Sequence, residues 1–136
     1  MAKRNNYMLD TDTASYIIKA RSENLLDELN KHDMNQIFIS VVTYAELCFG
    51  VAKSSSTRIN GAVIESFTSN LTVLSLDNDA AMIYGDIRAD LESKGKPIGA
   101  YDMMIAAHAL SEGMILVTNN TKHFKQVSGL SIENWV

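Results

Sequence analysis

Three acids and an amide, Asp10, Glu46, Asp102 and Asn120, sit where short apolar runs give way to helices or turns. Asp10 closes the run Asn6-Tyr7-Met8-Leu9, and Glu46 lies about one helical turn beyond Ile37-Phe38-Ile39-Ser40-Val41. Asp102 opens an apolar helical segment, and Asn120 comes just after Met114-Ile115-Leu116-Val117-Thr118. In an open parallel α/β sheet, ligands gather beyond the carboxyl ends of the strands, so all four can face one cleft. Carboxylates collected there suit a hard divalent cation, which takes oxygen ligands and leaves positions for water and substrate. The chemistry to expect is metal-assisted hydrolysis of a phosphodiester.

Each residue also has a structural explanation. Glu46 stands three residues after Thr43, the spacing of a capping box. Asp102 in a first helical turn complements the macrodipole, and Asn119-Asn120 is a turn dipeptide. Asp10 is harder to explain away, because a carboxylate directly after a buried strand is costly to desolvate unless it is paired. Two unit charges about 4 Å apart repel by roughly 4 kcal/mol at an effective dielectric of about 20. Three carboxylates in mutual contact would cost on the order of 10 kcal/mol, comparable to a domain's whole stability. A proton or a cation must relieve that repulsion.

The elements that must position these residues alternate between strand and helix. Strands are expected at Asn6–Leu9, Ile37–Val41, Leu71–Leu76 and Met114–Thr118, with a short edge strand within Ser131–Trp135. Thr13 to Lys31 is helical, broken around Arg21-Ser22, and Thr43 to Lys53 is a further helix. Ile59, Val63, Ile64 and Phe67 form a helical stripe. Asp77 is placed to cap a helix running to about Lys94, with Ala80, Ala81, Ile83, Tyr84, Ile87 and Leu91 inward. The Gly95–Ala100 segment breaks it, and Tyr101 to Glu112 is a helix ended by Gly113. The expected architecture is an α/β three-layer sandwich: a central, mostly parallel sheet of four to five strands with helices on both faces. Ser54-Ser55-Ser56-Thr57 is too short for a domain linker, so residues 1–136 form one domain.

Composition narrows the class. The chain has 136 residues, 46% of them hydrophobic and 21% charged, which is ordinary globular composition. A net charge of −4 argues against a wholly basic nucleic-acid-binding surface, although a carboxylate cluster would itself lower the total. The lone Cys48, in an apolar-rich stretch, is expected as a small core residue, and no intrachain disulfide is possible. The basic Met1-Ala2-Lys3-Arg4 precedes too short an apolar run for a signal peptide, and nowhere are there 18 consecutive apolar residues. A soluble, cytoplasmic protein without membrane contact is expected.

Four segments, in order and spacing, resemble the PIN-domain nucleases and within them the VapC-type toxins of bacterial toxin–antitoxin systems. They are Met8-Leu9-Asp10-Thr11-Asp12, the run from Ser40 to Leu47, the run from Pro97 to Ala109, and the run from Val117 to Phe124. The resemblance implies a PIN-like fold and an Mg²⁺- or Mn²⁺-dependent endoribonuclease, dimeric and inhibited by a cognate VapB-type antitoxin. Its substrate would be RNA, with tRNA, including initiator tRNA, as the leading class. Asp10, Glu46 and Asp102 match the family's metal-binding acids. Asn120 stands where many relatives carry a fourth acid, and Asp12 stands where asparagine is frequent. Three carboxylates and one Mg²⁺ leave a formal charge of −1, so one tight cation and a second, weaker one are expected. Thr11, Thr118 and Asn119 are candidates for orienting ligands or water. Hydrolysis by water would leave 5′-phosphate and 3′-hydroxyl ends.

Two alternatives belong to other classes. A receiver-type Mg²⁺-binding phosphoacceptor is similar in length, but here Thr11 separates Asp10 from Asp12. A catalytically silent PIN-like domain that binds RNA or a partner is the other, made conceivable by Asn120. His108 is expected in the core or behind the site, and His32 and His123 on the surface. Lys94, Lys96, Lys122 and Lys125 flank the cleft in sequence and can meet phosphates. The sequence shows no aromatic stacking platform, which points to recognition of a folded RNA's shape.

Overall fold

The computed structural model describes residues 4–136; the Met1–Lys3 part of the basic N-terminus lies outside the described residues. Five strands form the sheet: β1 (Tyr7–Leu9), β2 (Ile37–Ser40), β3 (Thr72–Leu74), β4 (Ile115–Val117) and β5 (Ile132–Glu133). All neighbouring pairs are parallel, in the order β3-β2-β1-β4-β5. Seven α-helices are described: α1 (Thr11–Ile18), α2 (Glu23–Leu29), α3 (Val41–Ala52), α4 (Thr57–Ser69), α5 (Asn78–Ser93), α6 (Ala100–Glu112) and α7 (Thr121–Phe124).

Alternation along β1 shows why helices cover both faces. Met8 packs on one side with Ile87, Leu91, Ile105, Leu116 and Phe124. Tyr7 and Leu9 pack on the other with Ala14, Leu25, Ile37, Ile39 and Leu47. A short parallel strand buried on both faces has to be apolar throughout, and Tyr7-Met8-Leu9 is. The strand order reverses between β1 and β4, where Leu9 is in register with Val117. Asp10 and Thr118 are therefore the first residues beyond adjacent strands at the point where crossovers leave in opposite directions. Such a switch point opens a crevice in doubly wound sheets.

The helix ends differ from expectation in ways that matter to the site. Helix α1 starts at Thr11, because the Asp10 carboxylate accepts from the Thr13 backbone N–H at 2.8 Å and caps it. Helix α3 starts at Val41, not Thr43; Ser40 is its cap and accepts from the Val42 N–H at 3.1 Å. The anticipated Thr43–Glu46 capping box therefore does not form, and Glu46 is left to do something else. The break between α1 and α2 contains Ala20 with φ of 50°, followed by the Ser22 cap. Asp77 caps α5 as expected, accepting from the Ala80 N–H at 3.0 Å. The inward stripe of α5 omits Ala81, which is exposed.

Candidate active site

Asp10 is nearly fully buried, and both its oxygens are engaged. Oδ1 takes the Thr13 N–H, and Oδ2 accepts from Thr118 Oγ1 at 2.5 Å. Burial raises its pKa, and the hydrogen bonds from Thr118 and Thr13 pull the other way. Thr13 Oγ1 also donates to the Val117 carbonyl at 3.1 Å, tying the start of α1 to the end of β4. The capping and site roles of Asp10 thus coincide rather than compete.

Glu46 projects from the second turn of α3, where its Oε1 accepts from Thr11 Oγ1 at 2.6 Å. Thr11 also lies 3.2 Å from Thr43 Oγ1. Thr11 is thus the strut that carries Glu46 toward Asp10, across the junction of α1 and α3. Asp102 sits in the first turn of α6, half-buried, beside Gly99. Desolvation, then the charges of Asp10, Glu46 and Asp12, push its pKa up to about 6, while His123 acts in the opposite sense. Asp12, exposed in the first turn of α1, therefore lies within electrostatic reach of the acids.

The three carboxylates share a field without closing on one another. Among the described residues, no three acidic, histidine or cysteine side chains stand close enough to form a ready-made cation cage. The mutual contact expected from the sequence is avoided: Asp10 and Glu46 are held back by Thr118 and Thr11, and Asp102 stays easy to protonate. The donor set fits a hard divalent cation nonetheless. It is all oxygen, carries unneutralised negative charge, and leaves space for the several waters that Mg²⁺ retains. Asp10, Glu46 and Asp102 are the residues that would hold it.

Asn120 is half-buried at the start of α7, with its backbone N–H donating to Thr118 Oγ1 at 2.9 Å. Its side-chain Nδ2 lies 2.8 Å from His123 Nδ1. Asn119 is exposed, and its Oδ1 accepts from Asn134 Nδ2 at 3.2 Å, away from the acids. His123 is exposed, as its sequence context predicts, but neither the short helix α7 nor the pairing of Asn120 with His123 is among the features the sequence predicts. The available signal was its spacing three residues after Asn120, which puts the two on one face of a helical turn.

Other expectations need correction. His32 is not a free surface residue: its ring stacks on Trp135 at 4.9 Å and tilts against Tyr7 at 4.6 Å. Cys48 is exposed, because the apolar face of α3 that meets the core runs through Thr43 and Leu47 instead. His108 is fully buried as expected, with Nδ1 2.8 Å from Ser40 Oγ, and burial lowers its pKa. Aromatic surface does flank the acids. Phe49 is 65% and Tyr101 59% exposed, and both line an 800 Å³ groove that also contains Thr11 and Glu46. Lys53 reaches over Phe49, 5.1 Å from the ring centroid, and lines that groove. Lys53 and Lys19 both line an adjoining groove shared with Asp12 and Glu46, which puts two positive charges beside the acids that the sequence did not single out.

The PIN domain family model matches residues 7–130, nearly the whole chain. This chain belongs to the PIN-domain family. Within it the VapC branch is equally clear. The chain is 43% identical over 129 residues to the tRNA(fMet)-specific endonuclease VapC of Salmonella typhimurium, covering 95% of this chain and 97% of that protein. It is 45% identical over 130 residues to ribonuclease VapC2 of Haemophilus influenzae, covering 96% and 98%. Among solved structures, DNA-bound VapBC from Salmonella typhimurium superposes with a TM-score of 0.92 at 42% identity, over 98% of this chain and 100% of the other. PIN membership removes the receiver alternative, and the topology agrees: receivers order their strands 2-1-3-4-5, whereas β1 here is central between β2 and β4. No helix among the described residues is long and apolar enough to cross a membrane.

Proposed function

We propose that the chain is a single-domain, VapC-type endoribonuclease toxin that hydrolyses RNA phosphodiesters with a divalent cation and so inhibits translation and growth. Asp102 carries the proposal. Its carboxyl is pushed to about 6 chiefly by desolvation, reinforced by three neighbouring acids at the switch point of a parallel sheet. Carboxylates gathered this way destabilise the fold unless something positive occupies their midst. Bound Mg²⁺ or Mn²⁺ would polarise the phosphate and make an adjacent water a better nucleophile.

The protein's own part is positioning. Thr118 and the α1 N-terminus fix Asp10, and Thr11 fixes Glu46. The first turn of α6 presents Asp102 at the rim. Asn120 adds no charge, so Asp10, Glu46 and Asp102 would hold one cation tightly and a second only weakly. Attack by water rather than by the ribose 2′-hydroxyl leaves 5′-phosphate and 3′-hydroxyl ends.

tRNA is the substrate class we propose, with initiator tRNA first, in line with the specificity named for the Salmonella relative. A VapB-type antitoxin is the proposed regulator, since the close structural neighbours are VapBC complexes. The exposed apolar strip of Val41, Phe49 and Tyr101 on α3 and α6 is proposed as the contact with a second copy of the chain. The protein would work in the cytoplasm. Sequencing RNA ends after brief expression of the intact chain and of Asp10→Ala tests the activity. Cleavage and growth arrest should appear with the intact chain alone; growth arrest by Asp10→Ala would favour the catalytically silent alternative.

A further inference from the structure

The fourth position of the site carries an amide in place of an acid, and that amide, Asn120, contacts a histidine, His123. Asn120 Nδ2 lies 2.8 Å from His123 Nδ1, the contact made by the Nε2–H tautomer of the ring, in which Nδ1 accepts. The second ring nitrogen, Nε2, takes part in none of the side-chain hydrogen bonds or ion pairs found among the described residues. The ring is exposed and close enough to Asp102 to act on its electrostatics. It therefore stands beside the acids, and its free Nε2–H is a donor next to a set of acceptors. Its placement is also anchored. Asp10 Oδ2 accepts from Thr118 Oγ1, which accepts from the Asn120 backbone N–H, and the Asn120 side chain holds the imidazole.

We infer that His123, positioned by Asn120, is a substrate-contacting residue whose Nε2–H hydrogen-bonds a phosphate oxygen of RNA lying across Asp10, Glu46 and Asp102. The inference rests on the ribonuclease reading above and deepens it. A phosphodiester anion approaching three carboxylates is repelled, and a fixed donor at their rim both offsets that repulsion and sets the orientation of the strand. A carboxylate at position 120 would bring a fourth repelling charge. The amide orients the imidazole without adding one.

The test measures kcat/KM of the full chain on total tRNA with Mg²⁺, for the unsubstituted protein, Asn120→Ala, His123→Ala, the double variant and His123→Gln. Loss of one hydrogen bond to a charged group should lower kcat/KM by about tenfold to a hundredfold in each single alanine variant. The double variant should fall no further than the worse single, because the two residues act as one unit. His123→Gln, which keeps a side-chain donor, should recover part of the loss. Thermal stability and calorimetric Mg²⁺ affinity of His123→Ala should be unchanged, since the ring is exposed and touches no carboxylate directly. Activity of His123→Ala within about twofold of the unsubstituted protein, additive losses in the double variant, or a parallel fall in melting temperature would each overturn the inference. If the unsubstituted chain leaves the tRNA uncut, the ribonuclease reading itself fails and the contact with it.

Discussion

At the scale of residues, the site is a set of acids kept apart by threonines. Asp102 gives this a measurable sign. Its folded pKa of about 6 lies above the 3.8 of an ordinary aspartate, so its contribution to stability is fully present below about pH 4 and is lost as pH rises through 6. The cation-free protein should thus lose stability from this group between pH 4 and 7. Asp102→Asn should raise the melting temperature of the cation-free protein at pH 7 by about 2–4 °C, the effect of roughly 1 kcal/mol after allowing for solvent screening at a half-exposed group. The same substitution should abolish cleavage. Thermal scans with chelator at pH 5 and 7 check the first point, and a melting temperature unchanged by Asp102→Asn at both would refute it. Because a bound cation needs Asp102 ionised, Mg²⁺ affinity should rise from pH 5 to 7. Thr11→Val, which frees Glu46, should weaken Mg²⁺ binding by about tenfold to a hundredfold, read by calorimetry. That Asp10, Glu46 and Asp102 would come to one end of the sheet was legible from their places at a strand end and in early helical turns. Their threonine partners were legible only as candidates, since a hydroxyl at a strand end has many uses. His123 was not legible, because its role depends on a short helix that the turn dipeptide Asn119-Asn120 concealed.

At the scale of elements, strand cores and helix caps decide where the acids point. The β-branched and apolar runs marked all five strands, but the ladders are shorter than the runs because pairing ends where the neighbouring strand does. Thr72–Leu74 is paired within the longer apolar run Leu71–Leu76. The start of α3 shifted by two residues because Ser40, rather than Thr43, supplies the cap, and that shift moves Glu46 out of a capping box and onto Thr11. Cap choice between two nearby hydroxyl residues depends on the exit angle of the strand, which sequence spacing does not encode. The end of α6 was legible. Gly113 adopts φ of 66°, which L side chains rarely accept, and no atom lies within 4 Å of where a Cβ would stand. Gly113→Ala should therefore destabilise by about 1 kcal/mol through backbone strain alone, measured by urea unfolding with an unchanged slope.

At the scale of the whole molecule, two half-cores clamp one sheet so that its switch point stays open between α1, α3 and α6. The layering followed from alternation along β1 and from the strand–helix order. The unpartnered apolar strip did not, because Phe49 and Tyr101 lie far apart in sequence and meet only when α3 and α6 pack. If that strip joins two copies, Phe49→Glu should convert a dimer to a monomer in analytical ultracentrifugation; an unchanged mass would place the interface elsewhere. The most direct test of a cation-dependent, water-driven RNA hydrolase is the chemistry of the cut ends. Purified protein and total tRNA should give fragments with 5′-phosphate and 3′-hydroxyl ends in the presence of Mg²⁺ or Mn²⁺, and none with EDTA or with Asp10→Ala. Ends carrying a 2′,3′-cyclic phosphate, or cleavage that persists in EDTA, would contradict it.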